Sequence, residues 1–309
     1  MKLGIALPNI GPAADPNTIF QLADKVEELG LGTLWTGDHL AFPKNPKLPY
    51  PYARGGPGFI DSSSKILDPL TVMAAVIGRT KQVKVGVSVL ILPYRHPLTT
   101  AKQLASMQSL SGGRVILGVG VGWIPEEFNA LNVDYTKRGA LTDEQMRFFR
   151  EVWSKDYPTF KGKHYHIEDM GLFPRPERVI PQWVGGNTKF AMRRAAKLGD
   201  GLHLIDATPI EIKDLINQFR SICEEEKRDI RTVTLSLRQS LRLTEKALTP
   251  EERKLPLTGS IDQVAEDLLA YKALGIEDVA IGIRPRGADL SRQLEVTEIL
   301  AKEVLPLLA

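Results

Sequence analysis

Arg114-Val115-Ile116-Leu117-Gly118-Val119-Gly120-Val121-Gly122-Trp123 reads as a buried β-strand with one face stripped of side chains. Glycines 118, 120 and 122 share the strand period of two, and each weakens the strand without adding packing. A face cleared in this way predicts that something lies flat against it; a tight barrel interior is the other reading of the same pattern. A dinucleotide turn needs Gly-x-Gly-x-x-Gly opening a helix, and the third glycine is missing whether the count starts at Gly118 or Gly120.

Outward from this strand, short apolar runs alternate with helical patterns along the chain, as parallel βα units do. The strands expected are Lys2 to Leu7, Thr33 to Thr36, Val83 to Ile91, Arg114 to Val119, Gln182 to Val184, Gly201 to Leu204, Thr232 to Gln239 and Asp278 to Ile283. Between them lie helical patterns at Asn17 to Leu29, Pro69 to Thr80, Leu98 to Leu110, Thr142 to Trp153, Lys189 to Leu198, Pro209 to Arg228, Ile261 to Ala273 and Leu290 to Leu307. Gly30, Gly112, Gly199 and Gly275 stand as stop signals. Eight alternating pairs predict an α/β chain folded as one (β/α)8 TIM barrel over residues 1–309 rather than an open sheet. Two segments exceed minimal loops and predict insertions, Leu40 to Asp68 after strand two and Tyr157 to Pro181 before strand five.

The composition is that of an ordinary globular chain, 309 residues with 43% hydrophobic and 25% charged, which excludes disordered and fibrous classes. A net charge of +3 spread over scattered residues gives nucleic-acid binding no support. Cys223 is the single cysteine, so no internal disulfide can form. The N-terminal run Met1 to Pro8 lacks a signal-peptide pattern and no run approaches a membrane span, so a cytoplasmic protein without membrane partners is expected.

Leu34-Trp35-Thr36-Gly37-Asp38-His39 puts an acid and an imidazole at the carboxyl end of strand two, where barrel enzymes assemble their sites. A histidine can act as a proton carrier and an aspartate can hold it in one tautomer, although adjacent residues on an extended chain face opposite ways. Gln182-Trp183-Val184-Gly185-Gly186-Asn187-Thr188-Lys189 is a strand, a glycine turn and a capped helix start, which predicts an anion site at the helix N-terminus. Arg284, just after the last strand, is placed in the substrate pocket or at the solvated rim. His164 and His166 share one face of an expected hairpin but are too few to define a zinc site, so no metal is expected. No serine occupies a nucleophile elbow, which lowers the hydrolase reading.

Thr36 to His39, Val85-Gly86-Val87-Ser88-Val89, Arg114 to Trp123 with Glu126-Glu127-Phe128, and Trp183 to Gly186 together resemble the bacterial luciferase-like monooxygenase superfamily over nearly the whole chain, most closely the oxidoreductase branch that uses the 8-hydroxy-5-deazaflavin coenzyme F-420. The resemblance implies a (β/α)8 barrel holding a flavin or deazaflavin across the carboxyl ends of its strands, in a homodimer or higher homo-oligomer. It implies that Asp38 and His39 flank the ring system, with His39 moving a proton or polarising substrate. It implies a non-prolyl cis peptide at Ser88-Val89 beneath the ring, and a phosphate turn made by Gly185, Gly186, Asn187 and Thr188, with Gly120 and Gly122 on the cofactor side. Where the F-420-dependent sugar-phosphate dehydrogenases carry a catalytic glutamate directly after the glycine strand, this chain has Trp123, which removes a carboxylate and adds an aromatic wall to the substrate pocket. The sugar-phosphate activity is therefore not carried over.

The expected activity is hydride transfer between F-420 and a small organic substrate, with the cofactor supplying the difficult chemistry. Lys44, Lys47 and Arg54 in the first insertion are available to an anionic cofactor tail. The alternative in the same family is an FMN-dependent monooxygenase that uses oxygen and takes reduced flavin from a separate reductase. A barrel that binds flavin or carbohydrate without catalysis is the reading from a different class.

Overall fold

The computed structural model describes residues 1–48, 51, 62–284 and 289–308. Arg54 lies outside the described residues. The strands are β1 (Lys2–Ala6), β2 (Thr33–Thr36), β3 (Lys84–Ile91), β4 (Val115–Gly120), a short hairpin β5 (Phe160–Lys161) and β6 (His166–Ile167), then β7 (Gln182–Gly185), β8 (Gly201–Ile205), β9 (Thr234–Leu243), β10 (Thr258–Gly259) and β11 (Asp278–Ile283). The helices are α1 (Pro16–Glu28), α2 (Pro69–Arg79), α3 (Pro97–Ser111), α4 (Pro125–Ala130), α5 (Arg138–Ser154), α6 (Lys189–Leu198), α7 (Pro209–Glu225), α8 (Ile261–Ala273) and α9 (Leu290–Ile299).

Parallel pairing runs β9-β11-β1-β2-β3-β4-β7-β8, and β8 pairs back onto β9, closing an eight-stranded barrel inside a ring of helices. The expected strands and helices fall on these elements to within a few residues. Pro16, Pro69, Pro97, Pro125 and Pro209 open their helices, where the missing N–H costs nothing. Some elements depart from expectation, including the unforeseen two-residue strand β10. The short helix α4 was not foreseen, although Pro125 followed by Glu126 and Glu127 is a start signal. α5 begins at Arg138 rather than Thr142, and its first turn buries Leu141. α9 stops at Ile299 and gives way to a π turn over Leu300–Val304.

Outward-facing Leu3, Ile5, Leu34, Val85, Leu117, Val184, Leu202 and Leu237 are buried beneath the helices and form the main core. Inside the barrel, Trp35, Ile116, Trp183 and Ala280 make a separate layer, the two indoles 5.6 Å apart. Gly86 and Gly201 provide their room: a Cβ there would lie 2.5 Å from Trp35 and from Trp183 respectively.

β3 carries a bulge between Val87 and Leu90, and the Ser88-Val89 peptide is cis, as expected. A Cβ on Gly118 would lie 2.0 Å from the Val87 carbonyl oxygen, and Cβ atoms on Gly120 and Gly185 would lie 2.5 and 2.6 Å from the Val89 methyls. The cleared face is therefore filled by the bulge of the neighbouring strand, which corrects the expectation of a foreign group lying directly on it. Gly122 stands at φ 80° with Ile91 and Phe128 closing over it.

Candidate active site

The loop after β2 is fixed from below by Asn9, whose amide exchanges two 2.8 Å hydrogen bonds with the Gly37 backbone and donates a third to Leu67. This places Asp38 and His39 at the carboxyl end of the barrel with opposite orientations. Asp38 turns inward: Arg95 grips both its oxygens at 2.7 and 2.9 Å, and the Ile91 N–H donates to it at 2.8 Å. Its side chain has no exposed surface. Burial pushes the Asp38 carboxyl up, with the Arg95 fork acting against it. Arg95 also donates to Asp68 at 2.7 Å, so this pair anchors the far end of the first insertion. Asp38 has no open face toward a ligand, which corrects the expectation that it works beside His39 on the cofactor.

The carboxylate that meets His39 comes from α4. Glu127 Oε2 lies 2.7 Å from His39 Nδ1 and accepts a 2.8 Å hydrogen bond from the Tyr94 hydroxyl. Glu127 Oε1 accepts from the backbone N–H groups of Leu40 and Ala41 at 2.7 and 3.2 Å. Burial pushes the Glu127 carboxyl up, but His39, the Leu40 N–H and Tyr94 together hold it below its ordinary value. Burial and the neighbouring Glu127 push the Tyr94 phenol well upward, so it stays a donor. An ionised Glu127 requires Nδ1–H on the imidazole, which leaves Nε2 as the nitrogen that can exchange a proton. Phe42 and Trp123 pack against the ring, their centroids 4.8 and 6.1 Å away. A carboxylate is thus present four residues beyond Trp123, bound to the Nδ1 side of the histidine. Glu127 was quoted in the sequence without a role; an acid in the first turn of a helix starting at Pro125 was the available signal.

Across the barrel lies a polar floor that sequence reading did not find. His203 on β8 is fully enclosed, with Nε2 2.7 Å from Ser88 Oγ and Nδ1 2.7 Å from Ser236 Oγ on β9. Burial, then the charge of Arg238, lowers its pKa to about 3, so it is neutral. Arg238 on β9 spans the barrel to donate to the Ser88 carbonyl at 2.5 Å. No carboxylate among the described residues lies within ion-pair distance of Arg238. Of these residues only Ser88 was singled out in the sequence; His203, Ser236 and Arg238 sit on strands of unremarkable composition, and only closure of the barrel brings the four together.

At the β7–α6 turn, the Thr188 hydroxyl caps α6 by accepting from the Ala191 N–H at 3.2 Å. The Asn187 amide exchanges hydrogen bonds of 2.7 and 3.0 Å with the Ile205 backbone, and the Gly186 N–H donates to the His203 carbonyl at 3.0 Å. These donors are spent on joining β7 to β8, so the free first-turn N–H groups of α6 are what remain for an anion. Arg284 is exposed just past β11, at the rim. Lys44 and Lys47 are exposed in the first insertion. His166 lies in the β5–β6 hairpin and His164 in its turn. No group of residues fit to hold a metal ion occurs among the described residues, and none of their helices is long and apolar enough to cross a membrane.

A closed parallel barrel with a carboxylate-held histidine at the carboxyl ends of its strands defines a (β/α)8 barrel of the enzyme type. The chain belongs to the luciferase-like monooxygenase family, whose model matches residues 1–249. It is 30% identical over 261 residues to an F-420-dependent glucose-6-phosphate dehydrogenase of Amycolatopsis mediterranei, covering 80% of this chain and 72% of that one. It is 32% identical over 204 residues to an uncharacterised protein of Mycobacterium tuberculosis, covering 66% and 70%. Among solved structures, an F-420-dependent secondary alcohol dehydrogenase with an F-420-acetone adduct superposes with a TM-score of 0.78 at 18% identity, over 100% and 99% of the two chains. The FMN complex of a type II Baeyer-Villiger monooxygenase of Pseudomonas putida superposes with a TM-score of 0.75 at 16% identity, over 99% and 98%.

Proposed function

We propose that this protein is an F-420-dependent oxidoreductase that moves hydride to or from a small organic substrate. The observation that carries the reading is His39, set at the barrel mouth with Nδ1 held by Glu127 and Nε2 without a partner among the described residues. The family relationship to F-420-dependent dehydrogenases supports the choice of cofactor. The mouth suits a flat, anionic ring. Gly282 lines it with its nearest neighbour 3.9 Å from where a Cβ would sit, and Arg238 supplies a cation with no acid beside it among the described residues.

A bound deazaflavin supplies the hydride-accepting or hydride-donating carbon. The rest is work for the chain's own groups. Neutral His39 presents a lone pair at Nε2 and takes the proton of a substrate hydroxyl; the protonated ring returns it in the opposite direction. Glu127 fixes the tautomer and stabilises the imidazolium that results. Tyr94 and the Leu40 and Ala41 N–H groups keep Glu127 ionised and immobile. Trp123 and Phe42 wall the imidazole and exclude water. The α6 N-terminus, capped by Thr188, would hold the phosphate of the cofactor tail. Trp123 in place of an open carboxylate argues for a substrate other than a sugar phosphate.

An FMN-dependent monooxygenase is the second reading, supported by the FMN-bound fold neighbour. Equilibrium binding of F-420 and FMN, oxidised and reduced, under anaerobic conditions decides between them. Tight binding of F-420 with weak FMN binding is expected, whereas preference for reduced FMN overturns the proposal.

A further inference from the structure

We propose that Arg238 seats the delocalised anion of the cofactor's ring system, and so holds the ionised ring form at the floor of the barrel mouth. The inference rests on the F-420 reading above. Arg238 leaves β9 at the level of Ile205 on β8 and Ala280 on β11, and reaches the carbonyl of Ser88 on β3, four strands away by either route around the barrel. That single 2.5 Å hydrogen bond uses one of five guanidinium donors. A guanidinium cannot shed its charge, and a partly buried cation without an acidic partner is costly unless a ligand supplies the anion.

The neighbours leave Arg238 as the charge on this floor. His203 stays neutral between Ser88 and Ser236 through the whole working range. Asp206 meets the Arg238 carbonyl through its backbone N–H at 2.9 Å, but its carboxylate forms no ion pair with the guanidinium. Glu127 is committed to His39 and Tyr94. The ligand chemistry that fits a planar fork with free donors is a planar oxyanion whose charge is spread over a conjugated ring. An 8-hydroxy-5-deazaflavin is of that kind: loss of the 8-hydroxyl proton delocalises charge through the ring to its pyrimidine oxygen.

The test is a pH titration of the absorbance of oxidised F-420, free and bound to the purified protein. The ring is expected to ionise about one pH unit or more lower when bound, the usual size of an effect from a nearby opposite charge. In Arg238→Gln the shift should be lost, and in Arg238→Lys it should be partly kept. A purely structural role, capping the Ser88 carbonyl, predicts a destabilised Arg238→Gln protein whose bound ring titrates like that of the unmodified protein, and that result overturns the inference. Ionisation of the wild-type complex at or above the free value overturns it without any variant. Failure of the unmodified protein to bind F-420 removes the F-420 reading itself, and this inference with it.

Discussion

His39 Nδ1 stands 2.7 Å from Glu127 Oε2, and the two residues are 88 positions apart in the chain. The pair joins the end of β2 to the first turn of α4, so a proton carrier on one loop is aimed by a carboxylate on another. His39→Ala should leave F-420 affinity nearly unchanged and lower turnover by roughly 100-fold or more, the scale for a positioned acid or base. Glu127→Gln keeps the shape but loses the charge that fixes the tautomer, and should lower turnover by about 10-fold or more. Steady-state rates and binding constants for both variants check this, and a full-rate His39→Ala enzyme contradicts the assigned role.

Asp38 is a structural acid. Asp38→Asn strands Arg95 in a site where, among the described residues, only Asp68, at 40% exposure, still answers its charge. A loss of about 3 kcal/mol is expected from breaking a buried pair. Asp68→Ala should cost less than about 1 kcal/mol, since that side is partly solvated. Urea unfolding of the two variants gives the comparison.

Gly118 and Gly282 are both glycines in barrel strands, yet their substitutions should differ sharply. At Gly118 a methyl meets the Val87 carbonyl at 2.0 Å, and backbone cannot step aside, so Gly118→Ala should cost about 4 kcal/mol or more or fail to fold. At Gly282 the nearest atom is 3.9 Å away, so Gly282→Ala should change stability by under about 1 kcal/mol. Thermal unfolding measures both, and Gly282→Ala further tests whether the mouth needs that space for ligand affinity.

Asp278, at the inward-facing start of β11, has its pKa raised to about 6 by burial, against the 3.2 Å hydrogen bond from Thr33. The folded value lies above the unfolded one, so its contribution to stability is full below about pH 4 and is lost as pH rises through about 6. Asp278→Asn resembles the protonated form. It should raise stability by up to about 3 kcal/mol at pH 8 and by almost nothing at pH 4. Unfolding midpoints at the two pH values, compared with wild type, give the sign directly.

The barrel was legible because its signals are local. Alternating apolar runs and amphipathic segments, helix-opening prolines and terminal glycines sit next to one another in the chain, and each of the eight barrel strands falls where they indicate. His39 was legible for the same reason, as a histidine at the end of a strand. The partner of His39 was not, because a nearby acid in sequence, Asp38, points the opposite way while Glu127 arrives from a separate element. The glycines of β4 were read correctly as a cleared face, but what fills it, the Val89 bulge, follows from the path of the adjacent strand.

The sequence by itself determined the order of elements, the closure into a (β/α)8 barrel and the family, since these rest on periodicity and on motifs within single segments. Only the tertiary structure decided which charges meet. The Asp38–Arg95 pair, the Glu127–His39–Tyr94 group and the Arg238–Ser88–His203–Ser236 floor join residues from 33 to 150 positions apart. Side-chain pairing at such separations depends on strand register and loop path, which no local pattern records.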